Sequence, residues 1–203
     1  MTNYALPTHT GIRNITFRMS TRTALSESPF TFKQQVIAYP GRRWEVDVTL
    51  PPMKHADARQ WLAWLAKLDG NINTFTLGDP LGCNPRGSAG GTPLVAGADQ
   101  TGAALSVDGC TLSTTGWLLE GDYIQLGTGA SARLYMVTGD VDTSGTGTAT
   151  IPIWPEITTA PADNASVIVS NTLAAFRLAS NVSTWSADEA SIYGINFSGV
   201  GLV

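Results

Sequence analysis

Reactive and charged side chains are scarce in this sequence. Of 203 residues only 14% are charged, and the chain holds two histidines and two cysteines. Two cysteines, Cys83 and Cys110, are too few for a cysteine-based zinc site. Residues Met1 to Ser20 contain no apolar h-region of the secretory kind, so the two thiols are expected to be free rather than paired. No apolar run approaches the length that spans a bilayer, and the expectation is a soluble chain made in the cytoplasm. The histidines, His9 and His55, sit in no recognisable context with a nucleophile and an orienting carboxylate, which argues against Ser/His/Asp or Cys/His chemistry. Lysine and arginine do not cluster as a sequence-specific nucleic-acid footprint requires. No catalytic, cofactor-binding or metal-ligating residue is assigned, and the chain is expected not to be an enzyme.

Three local patterns imitate chemistry without completing it. Asp140, Asp142, Ser144 and Gly145 match the opening of a calcium loop, but the twelfth position is Ile151 instead of a bidentate glutamate. A hairpin turn is the expectation there. Gly87, Gly90 and Gly91 lack the lysine and preceding strand of a phosphate loop. Glu120 and Asp122 are the best carboxylate pair for glycoside hydrolysis, and a turn before a strand accounts for both.

What is abundant is turn-forming and apolar: 21 glycines, 11 prolines and 43% hydrophobic residues. That excludes disorder, which goes with low hydrophobicity and high net charge. Charge is unevenly placed. Residues 88–171 carry eight acids against Arg133 alone, a net of −7, while 1–87 plus 172–203 stand at +3. The texture divides at the same places. In the first part Trp44, Val46, Val48 and Leu50 alternate with Arg43, Glu45, Asp47 and Thr49, the period of a half-buried strand. Ile12–Phe17, Phe30–Ile37 and Ile72–Leu77 are further strand candidates, the first two separated by a polar stretch around Thr21–Ser28. One helix is expected over about 54–68, with an apolar stripe of Ala58, Trp61, Leu62, Leu65 and Leu68, and Gly70 beyond its end. Residues 86–93 read as a flexible linker.

Beyond that stretch come short strand candidates separated by glycine turns: Ala104–Val107, Tyr123–Leu126, Arg133–Val137, Thr148–Trp154 and Ser166–Val169. Such spacing without a helical pattern describes a small barrel or sandwich. Phe176–Leu178 and Ile192–Phe197 return to the earlier style, with Trp185 ahead of the second in a polar turn. The fold expected is therefore mainly β with one helix: a split β-sandwich from 1–87 and 172–203, and a small acidic β-barrel inserted at 88–171. Trp44 and Trp61 are expected in the core. Trp64, Trp117, Trp154 and Trp185 are candidate interface anchors or sugar-stacking platforms, because indole combines a large apolar face with one polar atom.

The run Gly41-Arg-Arg-Trp-Glu-Val-Asp-Val-Thr-Leu-Pro-Pro-Met53, the segment Trp61-Leu-Ala-Trp-Leu65 and Thr74-Phe-Thr-Leu-Gly-Asp-Pro80 together resemble tail-tip proteins of long-tailed bacteriophages and prophages. Gly121–Gly127, Pro161–Asn164, Phe176–Asn181 and Ser191–Ile195 extend the resemblance over nearly the whole chain. Among such proteins it is most similar to distal tail proteins, the ring joining tail tube to tip. The resemblance implies a homohexameric ring around the tail channel and a peripheral β domain, OB-like or galectin-like. It also implies tail tube protein, tip hub protein and possibly tail fibres as partners, and a place in the virion tail after assembly in the bacterial cytoplasm. It brings no catalytic residue, no cofactor and no membrane insertion. The rival expectations are a carbohydrate-binding host-surface module using Trp117, Trp154 or Tyr123, and, least supported, a cell-wall hydrolase.

Overall fold

In the computed structural model, which describes residues 1–8, 11–187 and 192–203, the chain is mainly β with one α-helix. The first 77 residues supply β1 (Asn3–Tyr4), β2 (Asn14–Glu27), β3 (Gln34–Thr49), β4 (Met53–Lys54), α1 (His55–Leu68) and β5 (Thr74–Leu77). The middle supplies β6 (Gly91–Val95), β7 (Gly102–Cys110), β8 (Tyr123–Leu126), β9 (Arg133–Val137), β10 (Ala149–Ile157) and β11 (Val167–Ile168). The end returns with β12 (Ala174–Leu178), β13 (Trp185–Ala187) and β14 (Ile192–Gly201).

Strands from both ends of the chain make one sheet, in the order β1-β5-β12-β14-β3-β2, with β4 and β13 also paired to β14. The alternation in β3 decides which way it faces. Trp44, Val46 and Val48 are buried, while Arg43, Glu45 and Asp47 are half-exposed. Helix α1 lays its buried stripe of Ala58, Trp61, Trp64, Leu65 and Leu68 onto this sheet. It ends where Asp69 takes the left-handed conformation, at φ 50°, one residue earlier than Gly70 alone suggests. Between helix and sheet an aromatic cluster fills the core: Trp64 stands 5.3 Å from Phe75 and 5.2 Å from Phe197, and Phe75 stacks on Phe176 at 5.8 Å. Each such ring buries about 150–250 Å² and favours offset or edge-on contact, so this cluster dominates the stability of the first body.

The inserted strands form a second sheet, ordered β11-β8-β9-β10-β7-β6. Strands β8, β9 and β10 run as a meander and β11 returns beside β8, a Greek-key arrangement. A bridge between Leu94 and Ser166, with Val95 N–H donating to Ala165 O at 2.9 Å, brings β11 back to β6 and nearly closes the sheet into a barrel. Its interior is aliphatic: Val95, Leu105, Val107, Ile124, Val137, Ile151 and Ile153, with Trp117 wedged among them. This is the small barrel expected, with six strands where an OB-like barrel has five.

The two bodies meet through Trp44. Its indole lies edge-on to Trp154 of β10 at 4.8 Å and to Tyr123 of β8 at 6.0 Å, and its Nε1–H donates to Leu134 O at 2.9 Å. Arg42 pairs with Glu156 at 2.5 Å beside it. A backbone bond from Ala175 N–H to Ala132 O (3.0 Å) and a bond from Leu173 N–H to the Gln125 side-chain Oε1 (2.7 Å) join the returning chain to the barrel.

Three expectations are corrected. The polar stretch Thr21–Ser28 is not a break between strands: residues through Glu27 continue β2, paired with β3 along nearly its whole length. Residues 86–93 are not a flexible linker. The buried carboxylate of Asp122 accepts the amides of Arg86 (2.8 Å), Gly87 (3.1 Å) and Leu119 (2.8 Å), and Ala89 N–H donates to Trp117 O at 2.8 Å. Glycine at 87 serves close approach, since a Cβ there would lie 2.4 Å from Trp117 O. Trp185 lies in a short strand, not a polar turn. The Asp122 clamp yields a prediction. Asp122→Ala orphans three amides at once and should destabilise the fold by about 3 kcal/mol or more. Measured by denaturant unfolding, it should also open residues 86–91 to proteases that leave the parent intact there.

Candidate assembly surface

Strands β2 and β3 outrun the body they belong to. From Asn14↔Thr49 to Ser20↔Arg43 the pair lies on the sheet. After an irregularity between Thr21 and Thr23 it continues as Thr23↔Ala38, Ala24↔Ile37, Leu25↔Val36, Ser26↔Gln35 and Glu27↔Gln34. Residues 21–40 are exposed throughout, apart from a half-buried Ser28 near the tip. At about 3.3 Å per residue this arm extends roughly 20 Å from the body.

The arm's chemistry does not suit solvent. Leu25 and Val36 form an exposed cross-strand pair on one face, and Ile37 lies on the other beside Ala24. The tip is closed by Ser28 N–H to Lys33 O (3.0 Å) and Phe32 N–H to Ser28 O (2.9 Å), with Phe32 held at φ 53°. A bulky residue in the left-handed region is uncommon, and here its ring and that of Phe30 point outward, 73% and 92% exposed. Isolated apolar side chains on a surface are ordinary, but a contiguous set marks a contact surface. A two-stranded ribbon is at best marginally stable alone.

Against the start of β2 lies a groove of about 570 Å³, lined by Ile12, Ile15, Phe17, Asp79, Pro80 and Leu81 among others. Leu81 is almost wholly exposed at its rim. Among the described residues β2 pairs with β3 alone, so the outer edge of β2 presents unpaired backbone groups.

The four tryptophans singled out from sequence are not brought together. Trp64 is 5% exposed and belongs to the helix–sheet core. Trp117 is 0% exposed, with Nε1–H donating to Gly90 O at 2.8 Å. Neither can stack on a sugar or anchor a partner in this fold; both were drawn inward because the stripe of α1 and the barrel interior each need a large filler. Trp154 is half-buried against Trp44 at the junction of the two bodies. Trp185, 55% exposed on β13, is the one of the four that remains open.

No family model matches the chain, and neither does any curated protein it was compared with.

The titratable candidates are dispersed. His55 stacks on Tyr193 and accepts from Arg59 Nε–H at 3.1 Å, while His9 lies outside the described residues. Asp140 and Asp142 each accept a backbone amide from the facing loop, of Glu120 (2.9 Å) and Gly116 (2.7 Å), which are hairpin-locking bonds. Glu120 is exposed whereas Asp122 is buried in its three-amide clamp. Among the described residues no three His, Cys, Asp or Glu side chains converge as a metal site would need. Burial and nearby Asp108 push the Cys110 thiol up to about 11, so it stays protonated at neutral pH and behaves as a small core residue.

Only part of the arm is legible in sequence: the candidate Phe30–Ile37 overlaps β3 at Gln34–Ile37, while residues 30–33 belong to the tip. Its signal was present, in Leu25, Phe30, Phe32, Val36, Ile37 and Tyr39. But these residues carry no one-sided alternation, since neither face of the ribbon is buried by its own chain.

Proposed function

We propose that this chain is a structural protein that assembles with copies of itself, as a ring in a phage tail tip linking the tail tube to the hub. The observation that carries this reading is the projecting arm: a ribbon bare on both faces, with unpaired edges and two exposed phenylalanines at its tip. Such a surface is stabilised when a neighbour covers it, and a second copy is always at hand. The resemblance of residues 41–53, 61–65 and 74–80 to distal tail proteins supplies the biological setting. The aromatic and hydrogen-bonded junction around Trp44 suits a mechanical role, because it ties the two bodies together through packed rings and a buried hydrogen bond.

The test is the mass and shape of the purified protein, alone and with a tail tube protein. Electron microscopy should show closed rings with a central hole, and native mass spectrometry a single closed stoichiometry, six on the family resemblance. A chain that stays monomeric at every concentration and also with its tail partner would sink the reading.

A further inference from the structure

The inserted barrel carries a cavity of about 300 Å³, lined by no residue of the arm. It lies at the end of the barrel where β8 and β10 finish and β9 and β11 begin. The alternation of β9 builds it, because Arg133, Tyr135 and Val137 share one face of the strand. Val137 and Tyr135 are buried in the barrel core, and Arg133, nearest the strand's start, stands at the mouth. The walls are apolar (Leu126, Ala160, Pro161, Ala162, Ala165 and the Tyr135 ring), and Arg133 is the one charged side chain lining them. Both rims are fixed. On one, Gly127 sits at φ 71°, and a Cβ there would stand 2.4 Å from Ser131 O. On the other, Asn164 N–H donates to Val95 O (3.0 Å), Ala165 N–H to Ala162 O (3.1 Å) and Gly97 N–H to the Asp163 carboxylate (2.8 Å). Small-molecule sites have this character: pre-formed, mostly apolar, with few polar groups, and common in the mouths of barrels.

The cation in this cavity has no counter-ion. Residues 88–171 carry eight acids, yet neither these nor any other carboxylate among the described residues forms an ion pair with Arg133. Its Nη1 donates to Ala130 O (3.2 Å) and Ala132 O (3.3 Å), while Nε and Nη2 make no hydrogen bond to a described residue. Burial lowers the guanidinium from its ordinary pKa and raises Tyr135, and each group moderates the other's shift, so the two lie within electrostatic reach. Charges withdrawn from water are ordinarily paired. A guanidinium also offers its free N–H groups as a planar fork that matches a carboxylate in two parallel bonds. We propose that the cavity binds a small organic acid, its carboxylate on Arg133 and its hydrocarbon body along Leu126, Pro161 and the three alanines. A phosphate or a nucleotide would meet a single cation and leave the apolar walls uncovered. The volume stands at the lower end of the roughly 300–1,000 Å³ of ligand pockets, which limits the body to a short chain or one ring. The proposal is independent of how copies assemble.

Octanoate is the probe, titrated into the full chain by calorimetry, with acetate, inorganic phosphate and octanol as comparisons. One octanoate per chain is expected, bound at least tenfold more tightly than any of the three, since acetate and phosphate lack the body and octanol lacks the charge. Arg133→Met keeps an apolar stem and removes the charge, and should weaken octanoate at least tenfold while leaving octanol as before. Ala162→Trp fills the cavity from an exposed residue outside both cores. It should weaken octanoate as strongly and melt as the parent does, and it decides the matter if Arg133→Met fails to fold. Three results would each overturn the proposal: no saturable octanoate binding, octanol bound as tightly as octanoate, or octanoate binding that survives Ala162→Trp and so belongs to an apolar surface elsewhere. Acetate or phosphate matching octanoate overturns it as well, because the apolar walls would then contribute nothing.

Discussion

Replacing Phe30 and Phe32 with serine and Val36 with lysine should leave the isolated chain as stable as before, yet weaken self-association by a hundredfold or more. The asymmetry follows from where these side chains sit. All three are exposed, so their removal takes nothing from either core, and surface substitutions away from buried features usually fall within about 0.5 kcal/mol. At a contact the same residues become anchors. Truncating a central aromatic commonly costs about 2 kcal/mol or more, and tenfold in affinity is 1.4 kcal/mol, so two lost rings and a buried lysine exceed a hundredfold comfortably. Sedimentation velocity over a concentration series measures the association, and denaturant midpoints measure the monomer. Chymotrypsin supplies an independent reading: it should cut the free chain at Phe30 or Phe32, and the assembled form should resist. Unchanged assembly, or a variant that unfolds, would remove the arm from the interface.

The parts of the fold that declared themselves in sequence are those where one chain segment buries its own regular face. Trp44, Val46 and Val48 alternate because one side of β3 meets the core, and the stripe of α1 repeats because one side of the helix does. The barrel strands were legible for the same reason, down to Tyr123–Leu126 and Arg133–Val137, whose bounds coincide with β8 and β9. Where burial depends on another segment, the pattern is silent. Thr21–Glu27 is a strand because β3 pairs with it, and pairing without a buried face leaves no period to read. Gly87 reads as flexible in sequence and is pinned in the fold, because glycine serves freedom and close approach equally well. Asp122 gave no sign that the amides of Arg86 and Gly87, 36 and 35 residues upstream, would converge on it with that of Leu119. Trp64 and Trp117 looked like contacts because indole is amphipathic. Burial satisfied Trp117 through Gly90 O, whereas Trp64 Nε1 is buried with no hydrogen-bond partner among the described residues.

Trp44→Ala should be the most disruptive single change and should alter how the protein unfolds as well as how easily. The residue is 4% exposed and belongs to the core of the first body, yet three of its contacts, with Trp154, Tyr123 and Leu134 O, are with the barrel. Removing a buried tryptophan costs about 3–5 kcal/mol through lost burial and the cavity left behind. Leaving Leu134 O without its donor adds about 1–3 kcal/mol. The cost falls on the junction more than on either core. The ring pairs of Trp44 are with Phe17, Tyr123 and Trp154, so the Phe75–Phe176–Phe197 cluster keeps its own ring contacts, and the barrel keeps its aliphatic interior. With the parent chain, calorimetry should therefore give one cooperative transition, and with Trp44→Ala two, the bodies melting separately. Trp44→Phe discriminates the causes: it keeps an aromatic edge against Trp154 and loses only part of the volume and the N–H, so it should lower stability by about 1–3 kcal/mol and retain a single transition. If Trp44→Ala still melts in one step, the bodies are coupled chiefly by the hydrogen bonds from the Ala175 and Leu173 amides, and the indole is a core residue of the first body alone.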